Sequence, residues 1–303
     1  MTGAEIAAAA RGQTAVIPGR SSGDRARDII FRVLMLGAVA AAFISLGAIL
    51  YDSFRDGLQV LSWAFITSFP SRVIPENAGI QSAIVGTIYL MIICAVFVVP
   101  VGVATAVYLE EYADQDKWYN RVVEVNIQNL AAVPSVVYGI LGLAFIVRGP
   151  ISIGPVLLAG GITLGLLVLP VVIIVAREAI RAVPPSIREG SLALGATQWQ
   201  TIWKQVLPGS IAGISTGVIL ALSRAIGETA PLLVVGAAAS PRFNPDGLLS
   251  SFTALPIQIF TWTKDPNQEF VLRAAGAIVV LLVLLLLMNS VAIWLRNRYE
   301  QKW

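Results

Sequence analysis

Residues 186–208 read SIREGSLALGATQWQTIWKQVLP, a charged interruption in a chain that is otherwise largely apolar. Pro184 and Pro185 precede it, and Ser186 and Glu189 stand three apart. At that spacing each side chain can satisfy a free backbone N–H of the other's turn, so a helix is predicted to start there. Thr197 and Gln200 repeat the device, and Gly195 between them suits the left-handed turn that ends a helix. Pro208 and Gly209 predict the stop of the second helix. On that helix Trp199, Ile202, Trp203 and Val206 fall at i, i+3, i+4 and i+7, one apolar stripe. Such a stripe needs a cover. The pattern leaves three open: the protein's own helix ends, the lipid interface, or a groove on a partner protein.

Around this stretch the composition is that of a bilayer protein. Of 303 residues, 56% are hydrophobic and 13% charged, against about 25% charged in a soluble domain. Six stretches reach the roughly 20 apolar residues that a membrane helix needs: 31–51, 80–108, 127–148, 153–176, 211–239 and 272–295. The expected architecture is an all-α membrane protein with six transmembrane helices. It divides into a tail over 1–28, a first helix over 29–54, a core over 80–295 with a polar loop at 177–210, and a short tail over 296–303.

Charge gives the expected sidedness. With the N-terminus in the cytoplasm, 14 of the 21 Lys and Arg fall inside, six fall outside (Arg55, Arg72, Arg148, Arg242, Lys264 and Arg273), and Arg224 falls within a span. The positive-inside rule then places both termini in the cytoplasm, as six spans require. Topology accounts for the net charge of +3, and no nucleic-acid partner is expected. The apolar run after Arg32 is longer than a signal-peptide core and lacks a clean small-residue cleavage site.

Several chemistries are excluded. The chain has no histidine, no Gly-Lys dipeptide for a phosphate loop and no C-x-x-C, so it carries neither that ATP site nor the usual zinc site. No metal and no cofactor are expected, and Cys94 reads as a small buried hydrophobe. The segment GISTG at 213–217 matches a nucleophile motif, but Ser215 has no histidine base to activate it. Gly213 and Gly217 read instead as a small-residue strip that lets two membrane helices approach.

Inside the fifth stretch, Arg224 and Glu228 lie four apart on one helical face. They stand about 13 residues from the start near Ile211, roughly 20 Å deep at 1.5 Å per residue. A charge at that depth costs several kcal/mol unless it faces a partner or a watery path. Two readings remain open: an internal ion pair that holds helices in register, or an arginine that offers its planar fork to an oxyanion while Glu228 moderates the hold.

Glu189, Gly195, Leu207 and Pro208 sit at the spacing of the EAA loop, E-A-A-x-x-x-G followed by x9-I-x-L-P, and the chain thereby resembles the membrane subunits of ABC importers. Gly190 and Ser191 replace the two alanines, and Gln205 stands where the isoleucine usually is. Through LSRAIGETAPLLVVG (222–236), SFTALPIQIFTW (251–262) and MNSVAIWLRNR (288–298), it is similar to phosphate-importer permeases of the PstA type. The resemblance implies a type I ABC importer permease (MetI-like) fold in the cell inner membrane, and a transporter subunit rather than an enzyme. It implies that Glu189, Gly195, Trp199, Trp203, Leu207 and Pro208 belong to a coupling helix seated on a separate cytoplasmic ATP-binding subunit, present in two copies. A second homologous permease and an external phosphate-binding protein complete the expected assembly, with phosphate as the ion and Arg224 and Glu228 on its path. A permease for sulfate or molybdate would share these features. A stand-alone secondary transporter would leave the loop unexplained.

Overall fold

The computed structural model describes residues 22–71, 73–114, 116–237 and 241–299. Residues 1–21 of the expected tail, together with Arg72 and Lys302 from the charge count, lie outside them. By contact the chain divides into two units, residues 1–52 and 53–303. Helix α1 (Ser22–Val60) begins in the first unit and takes in residues 22–28, assigned from sequence to a tail. It leaves Ile29, Phe31, Leu34, Phe43 and Ile44 all exposed. A helix apolar on every side is suited to hydrocarbon rather than water.

Among the described residues the second unit holds four helices long and apolar enough to cross a membrane. After α2 (Trp63–Thr67) comes α3 (Gln81–Val107), which runs on as a π turn over Tyr108–Tyr112. Further along lies α6 (Leu157–Arg181). Gly161 lies against Ile93 and Gly165 against Phe97, so α3 and α6 run in the same direction. Between them the sequence predicts one span over 127–148, which the structure forms as a bent pair rather than a straight helix. The chain forms α4 (Trp118–Ala131) and α5 (Ser135–Leu141), continued by a π turn over Gly142–Val147, with a bend of 109° between the two halves. The cause is Pro134, which lacks an N–H and biases Val133 away from helical geometry. The Tyr138 hydroxyl donates to Leu130 O at 2.9 Å and braces the elbow.

The loop of residues 186–208 departs from expectation in two places. Helix α7 (Pro185–Ala193) is capped by Pro184, with φ −55° and ψ 136° and no side-chain cap. Pro185 therefore occupies the first turn, and the Ser186–Glu189 box does not form. Gly195 does take the left-handed turn, at φ +85°, and α8 (Gln198–Thr201) does begin with a complete Thr197–Gln200 capping box. The second departure is at Pro208, which does not stop this helix. A π turn over Ile202–Val206 leads directly into α9 (Leu207–Ala225), with Leu207 N–H bonding back to Ile202 O. Proline at 208 would clash with the carbonyl of residue 204 in a regular helix, and the widened turn lies at that point.

The predicted span 211–239 is also broken. Helix α9 ends at Ala225 and α10 (Ala230–Val235) follows, closed by Gly236 at φ +100°. Pro231 in the first turn of α10 prevents continuation. Among the described residues five helices are long and apolar enough to cross a membrane, six if the bent pair counts as one; α12 (Gln268–Tyr299) is the last of them. Before it, α11 (Leu255–Thr263) and the segment leading to it insert among the helix ends. Leu157 N–H bonds to Ser250 O at 2.9 Å, Leu255 N–H to Thr87 Oγ1 at 2.9 Å, and Phe252 is buried against Gly160 and Leu90. The main core combines Leu90, Val98, Leu164, Val168, Ala221, Ala225 and Phe252 from these elements.

Candidate functional site

Register between helices fixes the depth of the charged pair. Gly213 packs on Ala179 and Gly217 on Val175, so α9 and α6 are antiparallel, and the small-residue strip acts as the sequence suggests. Two further turns carry Arg224 to the level of Val168, midway along α6. On the other side, Ser223 Oγ meets Asn289 Oδ1 of α12 at 2.7 Å, and Arg296 donates to Thr216 Oγ1 at 3.1 Å. Val133 in the α4–α5 elbow and Ile226 in the α9–α10 break pack in one cluster with Val168. Two backbone breaks therefore share this apolar cluster. Irregular backbone at membrane depth is tolerated where it is enclosed by protein or lines a watery cavity.

Arg224 Nε lies 3.5 Å from Glu228 Oε1, and the two side chains are 50% and 19% exposed. The contact runs within one segment, and among the described residues it joins no two helices. The guanidinium is half open at the mid-level of α6, with a carboxylate beside one edge of its donor fork. Apolar lipid would be a costly cover for it.

The loop lies at the other end of the same rod. From Trp203 to Arg224 the helix rises about 30 Å, and no break in helix separates them. The apolar stripe divides in two. Ile202 and Val206 are buried, and Val206 packs in a cluster with Ala106, Ile180 and Val183. Trp199 and Trp203 remain more than half exposed, with their rings edge to face at 5.4 Å. The protein's own helix ends thus cover half of the stripe. The tryptophans, with Leu207, Tyr108 and Tyr112, edge a groove of about 510 Å³, and Pro208 lines the adjoining one. Glu189 is exposed and has no ion pair among the described residues.

A charged cluster beneath the loop went unrecognised in the sequence. Glu110 and Glu111, in the π turn that ends α3, have side chains only 10% and 9% exposed. Arg181 holds Glu110 through two bonds, 2.9 and 3.1 Å, and Arg177 bridges Glu110 at 3.5 Å and Glu124 of α4 at 3.1 Å. Arg188 of α7 grips Glu111 Oε1 through Nε and Nη2 at 3.0 and 2.9 Å. It also donates to Val183 O and Ile180 O, closing the end of α6. Gln198 of α8 adds a 2.6 Å bond to Glu111 O, and Ser191 and Thr201 join α7 to α8 at 2.9 Å. A signal was available: adjacent glutamates end an apolar run, and Arg177 and Arg181 stand at i, i+4. Counted only toward sidedness, the arginines give no hint of their pairing. Among the described residues no group of His, Cys, Asp and Glu could hold a metal ion.

The family described as "Binding-protein-dependent transport system inner membrane component" matches residues 98–303. The chain is 32% identical to the probable ABC transporter permease protein YqgI of Bacillus subtilis, over 82% of this chain and 87% of the relative. It is 34% identical to the phosphate transport system permease protein PstA 1 of Mycobacterium tuberculosis, over 74% of this chain and 73% of the relative. A bacterial alginate ABC transporter, solved in complex with a periplasmic protein bound to an alginate pentasaccharide, contains a chain with TM-score 0.68 and 17% identity. The match covers 92% of this chain and 98% of that one. At that identity the likeness concerns the fold alone.

Proposed function

Because the chain belongs to the family of inner membrane components of binding-protein-dependent transport systems, we propose that it forms half of a pathway for inorganic phosphate, with Arg224 as the ion's contact. It is a multi-pass permease subunit of an ABC importer. ATP hydrolysis falls to ATP-binding subunits, and substrate arrives on a binding protein. In the proposed assembly two ATP-binding subunits lie in the cytoplasm with both termini of this chain. A second, homologous permease completes the path, and the external protein binds phosphate.

The half-open Arg224 at the mid-level of α6 carries this reading. In the assembled transporter its free side faces the companion permease across the path. The first turn of α5, beginning at the nearby elbow, adds partial positive charge to that region. Glu228 keeps the fork from holding an oxyanion too tightly to release it. At the other end, Trp199 and Trp203, with Gly195, Glu189, Leu207 and Pro208 shaping the surface, seat on an ATP-binding subunit. The continuous rod of α8 and α9 transmits movement between the two ends. Similarity to phosphate permeases selects phosphate among the oxyanions. The test is uptake of labelled phosphate into vesicles holding the whole transporter and its binding protein. Unlabelled phosphate should compete at far lower concentration than sulfate or molybdate. A preference for either of those ions would reject the phosphate assignment.

A further inference from the structure

The adjacent carboxylates of α3 divide their partners by body. Glu110 is held by Arg177 and Arg181, both on α6. Glu111 is held by Arg188 of α7, and its own carbonyl by Gln198 of α8. The loop therefore grips α3 at one residue, and the next residue back ties α3 to α6. Arg188 is central because its guanidinium also closes the end of α6. Hydrogen bonds of charged groups in a dry setting are stiff and directional. An arginine fork fixed on three acceptors leaves little freedom for the loop to tilt without dragging α3.

We propose that Glu111 is the joint through which movement of the α7–α8 loop reaches α3, with Arg188 as its positioning residue. The proposal rests on the reading of the loop as the seat of an ATP-binding subunit. On this account the loop moves two helices together: α9 by direct continuation through the π turn, and α3 through Glu111. A loop that kept its seat but lost this joint would still support ATP hydrolysis. It would no longer move α3 in step with α9.

The test uses the complete transporter in vesicles, with phosphate uptake and ATP hydrolysis measured together. A cysteine replacing the exposed Leu194, cross-linked to the ATP-binding subunit, reports seating independently. Arg188→Glu should keep the cross-link and ATP hydrolysis while uptake per ATP falls about tenfold, the scale of a typical coupling energy. The exchange Arg188→Glu with Glu111→Arg should restore most of it. Normal uptake per ATP in Arg188→Glu would overturn the joint. Where that variant fails to assemble, Glu111→Gln and Arg188→Lys, which keep the side chains' size, decide. Reduced uptake per ATP in both supports the joint, and full coupling in either overturns it. Loss of the Leu194→Cys cross-link in the otherwise unaltered transporter would instead reject the seating on which the proposal stands.

Discussion

Exchanging one methyl group across the α6–α9 contact tests the register that places Arg224. A Cβ built on Gly213 stands 2.6 Å from the Cβ of Ala179 and 3.4 Å from its Cα. Ordinary contact between such carbons begins near 3.5 Å, so Gly213→Ala must push the helices apart by close to an ångström. Overpacking of this kind costs about 1–3 kcal/mol, partly offset by about 1 kcal/mol of improved helix propensity. Ala179→Gly alone should cost about 1 kcal/mol through propensity. In the double variant the 2.6 Å contact is gone and the propensity terms cancel, so its stability should return close to that of the parent. The coupling energy of the cycle is then the clash itself, about 1–3 kcal/mol. Thermal unfolding of the purified transporter in detergent, all four forms side by side, measures it. Additivity within about 0.5 kcal/mol would mean that the residues do not touch, and the depth assigned to Arg224 would fall with the register.

Other consequences follow from the same structure. Trp203→Asp should leave membrane insertion intact, since the ring is more than half exposed. It should weaken association with the ATP-binding subunit about 30-fold, as expected for an interface tryptophan worth about 2 kcal/mol; unchanged co-purification and uptake would remove the loop from the interface. Thr197→Ala breaks a capping box that is fully formed and should cost about 1 kcal/mol in thermal unfolding, whereas Ser186→Ala, where no box forms, should cost far less; equal losses would refute the assignment. For sidedness, the exposed Asp246 serves as the outer probe. A cysteine at Ser191 should react with impermeant reagent only from the cytoplasm and one at Asp246 only from outside, and the reverse pattern would invert the topology.

What the sequence made legible follows the range of the forces involved. The Thr197–Gln200 box and the Gly195 turn depend on a few neighbouring residues and could be read directly. The Ser186–Glu189 box has the right spacing, but Pro184 and Pro185 set where the helix starts. Hydropathy over 127–148 and 211–239 was correctly apolar, yet an apolar window cannot register a backbone bend. Pro134 and Pro231 are the local causes of the two breaks. At Pro208 the opposite error arose, because a π turn absorbed a residue that would otherwise end a helix. The stripe from Trp199 to Val206 was recognised as a face. Which half of it met the protein's own helices depended on α3 and α6, far away in sequence. The pairing of Glu110 and Glu111 with three arginines is tertiary in the same sense. Arg224 and Glu228 were visible as mid-span charges. Their loose contact, and the openness of the arginine, depend on how the helices around them pack.

The most direct test of the permease account is phosphate uptake by the assembled transporter in which Arg224 and Glu228 are both replaced by apolar residues, Arg224→Met with Glu228→Leu. Removing both members of an ion pair together often costs little stability, and this pair joins no two helices among the described residues. The complex should co-purify with its ATP-binding subunits and hydrolyse ATP at its basal rate. It should transport no phosphate, and Arg224→Gln alone should be equally inactive, because the ion has lost its fork of donors. An assembled double variant that still imports phosphate would contradict the account and leave Arg224 and Glu228 outside the path.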